Sequence, residues 1–361
     1  MKLKNKRAPI ALVLGTRPEI IKMSPVIRLL QKRKRPFILI HTGQHYSYEM
    51  DQSFFDDLRL PKPHYRFERP ASMGPNKHSS LVEWIQKQVY EVLKKEKPSA
   101  VLVEGDTDSV LAGALAASRL GGITIGHVEA GLRSYDNNMP EERNRLKTDR
   151  LSHVLYAPTA MAKKNLLREK LGKKRILVTG NTVVDALFQN LKMAGRGKFP
   201  KKYALVTLHR PETVDDKKRL TQVVEALKTL AKKASLKIIF PAHPRTQNRL
   251  AEYGVILDPD VFTVPKPMGF LKFILYQKNA SVILTDSGGV QEEACILRVP
   301  CVTVRTTTER PETVRVGANV VAGYETKNIV FQALRMMKKK RTWKNPFGDG
   351  RAAEKILESL A

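Results

Sequence analysis

The chain has 361 residues, 42% of them hydrophobic, a length and apolar content that suggest two domains and argue against wholesale disorder. No apolar run reaches the roughly 18–20 residues that cross a bilayer, and the basic start Met1 to Arg7 gives way too soon to a strand-like run and Gly15 to read as a secretory signal, so the expected location is the cytoplasm with no membrane partner. The net charge of +29, from 64 Lys and Arg against 35 Asp and Glu, is spread over many helices and turns with only 7% aromatics, so it reads as solvated faces and not as specific nucleic-acid recognition.

In chain order, Pro9–Leu14 is an apolar run of strand length, broken by Gly15-Thr16, with Pro18 suited to the first turn of a helix reaching about Lys32. The pattern then predicts strand 37–41, helix 79–95, strand 100–104, helix 109–120, strand 123–128, helix 141–151, strand 154–156, helix 160–171 and strand 176–179. A second set follows from 182: helix 183–192, a basic connection 195–202, strand 203–208, helix 217–232, strand 237–240, helix 271–278, strand 281–285, helix 290–297 and strand 301–304. A last helix is expected at 352–359. This alternation predicts two doubly wound parallel α/β domains in tandem, with a ligand cleft between them. Cys295 and Cys301 lack metal or redox spacing and read as buried, reduced small hydrophobes.

Ligands of open parallel sheets collect beyond the carboxyl ends of the strands, so the polar residues there are the ones to inspect. After the first strand, Gly15 to Lys22 offers a helix N-terminus with Arg17 and Lys22, which suits an anion, although taken alone an ordinary strand–helix turn with solvated charges is the simpler reading. Neither a P-loop nor GxGxxG is present. Asp106 and Glu129 follow neighbouring strands and could face one pocket as acid and base, with Glu141 and Glu142 arriving on the next helix. The alternative has Asp106 capping its helix and Glu129 paired with Arg133. In the second half, His209 ends one strand and Asp286-Ser287-Gly288-Gly289 another, where backbone N–H groups and a helix N-terminus suit a diphosphate. Glu293 suits ribose hydroxyls, Arg310 adds a cation, and His243 stays ambiguous.

Taken together, these segments resemble the non-hydrolysing UDP-N-acetylglucosamine 2-epimerases. The shared strings, in order, are GTRPEIIKMSPVI (15–27), GQH (43–45), EGDTDSVLAGALAA (104–117), GHVEAGLRS (126–134), MPEERNR (139–145), TGNTVVDAL (179–187), LVTLHRPE (205–212), LTDSGGVQEEA (284–294), TTERPE (307–312) and NPFGDG (345–350). The resemblance implies two Rossmann-like domains of the glycosyltransferase-B type, 1–181 joined by a C-terminal helix at 345–361, and 182–344. It implies an interdomain active site, a homodimer, no metal and no added cofactor. The implied reaction interconverts UDP-N-acetylglucosamine and UDP-N-acetylmannosamine by eliminating UDP and re-adding it after reprotonation at C2. Asp106, Glu129 and Glu141 match the family's acidic catalytic positions, and His209 the histidine near the diphosphate. Arg17, Lys22, Ser287, Gly288, Gly289, Glu293 and Arg310 match nucleotide-binding positions, with Met268 and Phe273 beside the uracil. Glu104 and Arg150 stand where relatives often carry His, and Gln44-His45 runs into Tyr46-Ser47-Tyr48, a departure from the segment tied to substrate activation. The competing functions are a hydrolysing epimerase, a glycosyltransferase on the same scaffold, and a basic module that binds nucleotides or nucleic acid.

Overall fold

Runs such as IALVL (β1, Ile10–Leu14) and AVLVE (β4, Ala100–Glu104) have every position buried, which is why they lack the polar alternation of a one-sided sheet. The computed structural model describes residues 8–44, 54–70, 78–136, 139–265 and 268–360. It divides into one unit of Met1–Gln189 with Phe347–Ala361 and a second of Asn190–Pro346.

The first unit holds seven parallel strands: β1, β2 (Phe37–His41), β3 (Tyr65–Arg66), β4, β5 (Thr124–Val128), β6 (Val154–Ala157) and β7 (Arg175–Val178). Their order is β3-β2-β1-β4-β5-β6-β7. The chain winds outward from β1, then returns to place β4 on its other side, so the order reverses between β1 and β4. The second unit repeats the plan with β8 (Tyr203–Thr207), β9 (Lys237–Ile239), β10 (Phe262–Thr263), β11 (Val282–Thr285), β12 (Cys301–Thr303) and β13 (Asn319–Val321), in the order β10-β9-β8-β11-β12-β13. Its reversal lies between β8 and β11. Such reversals splay the connecting loops apart and open a crevice at the carboxyl edge.

The alternating α/β pattern and the parallel sheets match the sequence reading. The final helix, Ala352–Glu358, packs on helix Arg17–Lys32 within the first unit. Its first turn is capped by Asp185, which accepts from Ala352 N at 3.2 Å and Ala353 N at 3.0 Å. Several elements carry too little signal to be read from sequence. β3 and β10 span two residues each, and helices Pro244–Glu252 and Pro311–Arg315 and strand β13 are short. Helix Thr326–Met337, also absent from the reading, buries Ile329, Val330, Ala333 and Met336 on one face. The helix expected to reach 171 ends at Arg168, and a short 3₁₀ turn follows. Both cysteines are buried and free, and burial pushes the Cys295 thiol up to about 12.

Candidate active site

The turn after β1 is fixed by its own helix. Thr16 is the N-cap of helix Arg17–Lys32, and Glu19, three residues on, reaches back over the helix start. Glu19 accepts from Gly15 N at 2.6 Å, from the Thr16 hydroxyl at 2.8 Å and from the Thr107 hydroxyl at 2.6 Å. The last bond ties the β1 turn to the β4 turn across the reversal of strand order. A Cβ on Gly15 would fall 1.9 Å from Ser109 Oγ and 2.2 Å from Thr42 Oγ1, so only glycine passes here. Burial raises the Glu19 carboxyl to about 7 against the pull of its three donors.

One turn further along the helix, Lys22 points at the ends of β4 and β5. Its Nζ lies 2.7 Å from Glu129 Oε2 and 3.0 Å from Glu104 Oε1. Asn181 Nδ2 donates to the same Glu129 oxygen at 2.9 Å. Glu129 itself has φ +69°, a left-handed backbone that non-glycine residues hold at a cost and that recurs at functional positions. Asp106 does not cap the next helix; it takes Arg145 Nη2 at 2.5 Å, while Arg145 Nη1 holds Glu142 at 2.7 Å. Nor does Glu129 pair with Arg133, which binds Asp149 and Glu169, each at 2.6 Å. Both structural alternatives for the acidic pair therefore give way to pairing with cations from helices Arg17–Lys32 and Pro140–Leu151. The peptide before Asp106 is also pinned. His127, fully buried, directs Nε2 at the Gly105 carbonyl (2.8 Å) and Nδ1 at Asp149 (2.7 Å). Burial would raise the Asp149 carboxyl, yet His127 and Arg133 hold it below the usual range.

Glu141 is exposed in the first turn of helix Pro140–Leu151, outside the bonded network that contains its neighbour Glu142. Arg17 opens its helix and stacks over Phe54 at 5.4 Å. Gln44 caps the helix after β4, its Oε1 accepting from Ser109 N at 2.9 Å and Oγ at 2.6 Å. His45 and Tyr46 to Tyr48 lie outside the described residues.

In the second unit the reversal of strand order brings the end of β8 beside the end of β11. Fully buried Asp286 accepts from His209 N and Arg210 N, both at 2.9 Å, and lies 3.3 Å from His209 Nδ1. It thus holds the His209 loop while the imidazole stays 42% exposed, accessible to a ligand. Ser287 is the N-cap of helix Gly288–Ile296 with no side-chain cap bond. A Cβ on Gly288 would meet only Glu309 Oε2 at 3.6 Å and Arg310 Cζ at 3.9 Å, so protein packing does not require glycine there. Glu293 takes Gln277 Nε2 at 2.6 Å. Arg310 is 7% exposed with Nε 2.8 Å from Glu292, so its charge is partly balanced within the protein. Phe273 packs against the Tyr203–Ile283 core cluster, and Met268 is half-buried before helix Phe270–Asn279.

Glu19, Arg145 and Asn181 were not singled out by the sequence reading, and Asp286 entered it only as the residue that ends its strand. Only Glu19 carried a usable signal, the Thr-x-x-Glu spacing at a helix start; the others act through partners 39 to 77 residues away. A cavity of about 900 Å³ opens at the other end of the second sheet, lined by Lys201, Lys202, Lys228, Lys232, Lys237 and Asp260. It sits at the amino ends of β8 and β9, away from His209 and Ser287 at their sheet's carboxyl edge, and accounts for part of the positive charge. Among the described residues no group of three or more His, Cys, Asp and Glu stands ready to hold a metal, and no helix is long and apolar enough to cross a membrane.

The geometry leaves one sheet edge with carboxylates and fixed cations and the other with an imidazole and open amides. Residues 28–361 match the family model described as UDP-N-acetylglucosamine 2-epimerase. The chain is 48% identical to the UDP-N-acetylglucosamine 2-epimerase of Methanocaldococcus jannaschii over 97% of this chain and 98% of that protein. It is 49% identical to the enzyme of the same name from Methanococcus maripaludis, over 96% and 97% respectively. The fold is similar to the crystal structure of the Methanocaldococcus jannaschii UDP-GlcNAc 2-epimerase in complex with UDP-GlcNAc and UDP, with a TM-score of 0.88 at 48% identity, covering 98% of this chain and 99% of that one.

Proposed function

The chain belongs to the UDP-N-acetylglucosamine 2-epimerase family, and from that membership we propose that it interconverts UDP-N-acetylglucosamine and UDP-N-acetylmannosamine without releasing free sugar. Loss of the C2 proton together with UDP from C1 gives 2-acetamidoglucal. A proton then returns to the other face of C2 and UDP adds back at C1, so atoms balance with no oxidant or reductant. The C2 proton is weakly acidic, so the barrier must be lowered by a positioned base and by stabilising the departing diphosphate.

The observation that carries this reading is the chemistry at the two reversals of strand order. Asp106 and Glu129, held by Arg145 and by Lys22 with Asn181, supply carboxyls in fixed orientations. Glu141 joins them as a third acid/base group. Two faces of C2 need service, which calls for more than one such group. In the second unit, His209 on its Asp286 support and the Ser287-Gly288-Gly289 amides suit the diphosphate, with Arg17 and Arg310 adding positive charge and Glu293 holding ribose hydroxyls. Met268 and Phe273 flank the uracil in this reading, no metal or redox cofactor takes part, and the working species is a homodimer.

Incubation with UDP-N-acetylglucosamine in D2O, followed by proton NMR, tests the reaction. Deuterium at C2 of both UDP-sugar epimers is expected. Stoichiometric free UDP with N-acetylmannosamine would mean that water captures the intermediate, and an unexchanged C2 hydrogen would rule out elimination.

A further inference from the structure

Among the described residues, the ends of β4 and β5 set Glu104 and Glu129 against the Lys22 ammonium. Lys22 lies between Glu104 and Glu129, whose side chains are 1% and 4% exposed. One ammonium balances one carboxylate, and a second buried negative charge is costly unless a proton neutralises it. Hydrogen bonding decides which carboxyl keeps its charge. Glu129 Oε2 receives directed bonds from Lys22 at 2.7 Å and Asn181 at 2.9 Å. Glu104 has the 3.0 Å charge contact with Lys22, but its buried Oε1 takes no directed hydrogen bond. Helix Arg17–Lys32, which presents Lys22, also turns buried Glu19 toward Glu104, and the turn after β5 presents Glu129; both add negative potential.

We infer that Glu104 is a positioning residue that carries a proton in the resting protein and so leaves the Lys22 ammonium committed to Glu129. The inference rests on the reading of Lys22 and Glu129 as substrate-site groups. Burial pushes the Glu104 carboxyl well above the usual range, Lys22 opposes this, and Glu129 and Glu19 reinforce it. Once alkaline pH removes that proton, Glu104 competes for Lys22 and loosens its bond to Glu129. The Lys22–Glu129 pair is then intact on the acid side of the Glu104 ionisation and weakened beyond it.

The test compares kcat/KM for UDP-N-acetylglucosamine against pH in the wild type and in Glu104→Gln, which is near-isosteric and cannot ionise. The wild type is expected to decline on the alkaline side by up to about 10-fold per pH unit. Glu104→Gln should lose the part of that decline due to Glu104 and keep only the part that His209 deprotonation imposes, so its alkaline limb differs from wild type in midpoint or steepness. Parallel profiles would overturn the inference, because a merely structural side chain would shift amplitude and not shape. Carboxyl carbon NMR of the ligand-free protein gives a second reading independent of turnover. Wild type should show the Glu19 and Glu104 carboxyls titrating high, and Glu19→Gln should leave the Glu104 resonance. Absence of that remaining resonance overturns the inference even if Glu104→Gln does not fold. A wild type that fails to turn over the nucleotide sugar but keeps the resonance would instead sink the proposed reaction alone.

Discussion

At the residue scale the candidate site combines the buried carboxyls of Glu19, Glu104 and Glu129 with half-buried Asp106 and exposed Glu141. If Asp106, Glu129 and Glu141 move protons at C2, then Asp106→Asn, Glu129→Gln and Glu141→Gln each lower kcat by at least about 100-fold, measured by coupled UDP-sugar assay. Near-normal rates in all three would remove the acid/base scheme. His209→Ala should reduce turnover more than it weakens UDP binding by calorimetry, because an imidazolium stabilises charge that develops as the diphosphate leaves. Glu19 gives a stability prediction. Its carboxyl titrates near 7 when folded and near 4.5 when unfolded. Folding therefore keeps a proton that the unfolded chain releases, and stability falls as pH rises between those values, by on the order of 3 kcal/mol. Glu19→Gln should flatten that slope, so the difference in Tm between variant and wild type grows in favour of the variant from about pH 4.5 to pH 7. A difference independent of pH would show that Glu19 is ionised throughout.

At the scale of elements, function depends on how strands and helices are joined at their ends. The Glu19 carboxyl that closes the β1 turn also braces the β4 turn, and Asp185 both belongs to helix Thr182–Ala194 and caps the C-terminal helix. Asp185→Ala leaves two buried N–H groups without their acceptor, so a loss of about 1–2 kcal/mol is expected from denaturant unfolding. Hydrogen exchange should place the earliest opening at Ala352–Glu358. Uniform protection across the first unit would show that packing alone holds this helix. The long elements were legible because their apolar spacing is dense: the five buried positions of β1, or the Leu220–Leu230 stripe of helix Lys217–Ala234. The two-residue strands at 65–66 and 262–263 have no periodicity to read and exist only because a neighbouring strand offers an edge.

At the scale of the whole molecule, the +29 charge has a kinetic consequence that does not depend on any one lysine. A strongly positive protein attracts a doubly charged nucleotide over distances that salt shortens, from about 30 Å at 0.01 M to about 10 Å at 0.1 M. kcat/KM should therefore fall with ionic strength while kcat holds, in initial-rate measurements at fixed pH. A salt-independent kcat/KM would show that binding is governed by local contacts alone. The sequence by itself determined the family, the alternation of strands and helices, and the placing of Asp106, Glu129, His209 and Ser287 beyond strand ends, because each of these is written in contiguous segments. Tertiary structure decided which partner each carboxyl has. Asp106 meets Arg145 and not its own helix, Glu129 meets Lys22 and not Arg133, and Glu104 shares that lysine. These pairings join residues from 39 to 107 positions apart. Only the winding of the sheet brings them within hydrogen-bond reach, and only there does burial make their charges interdependent.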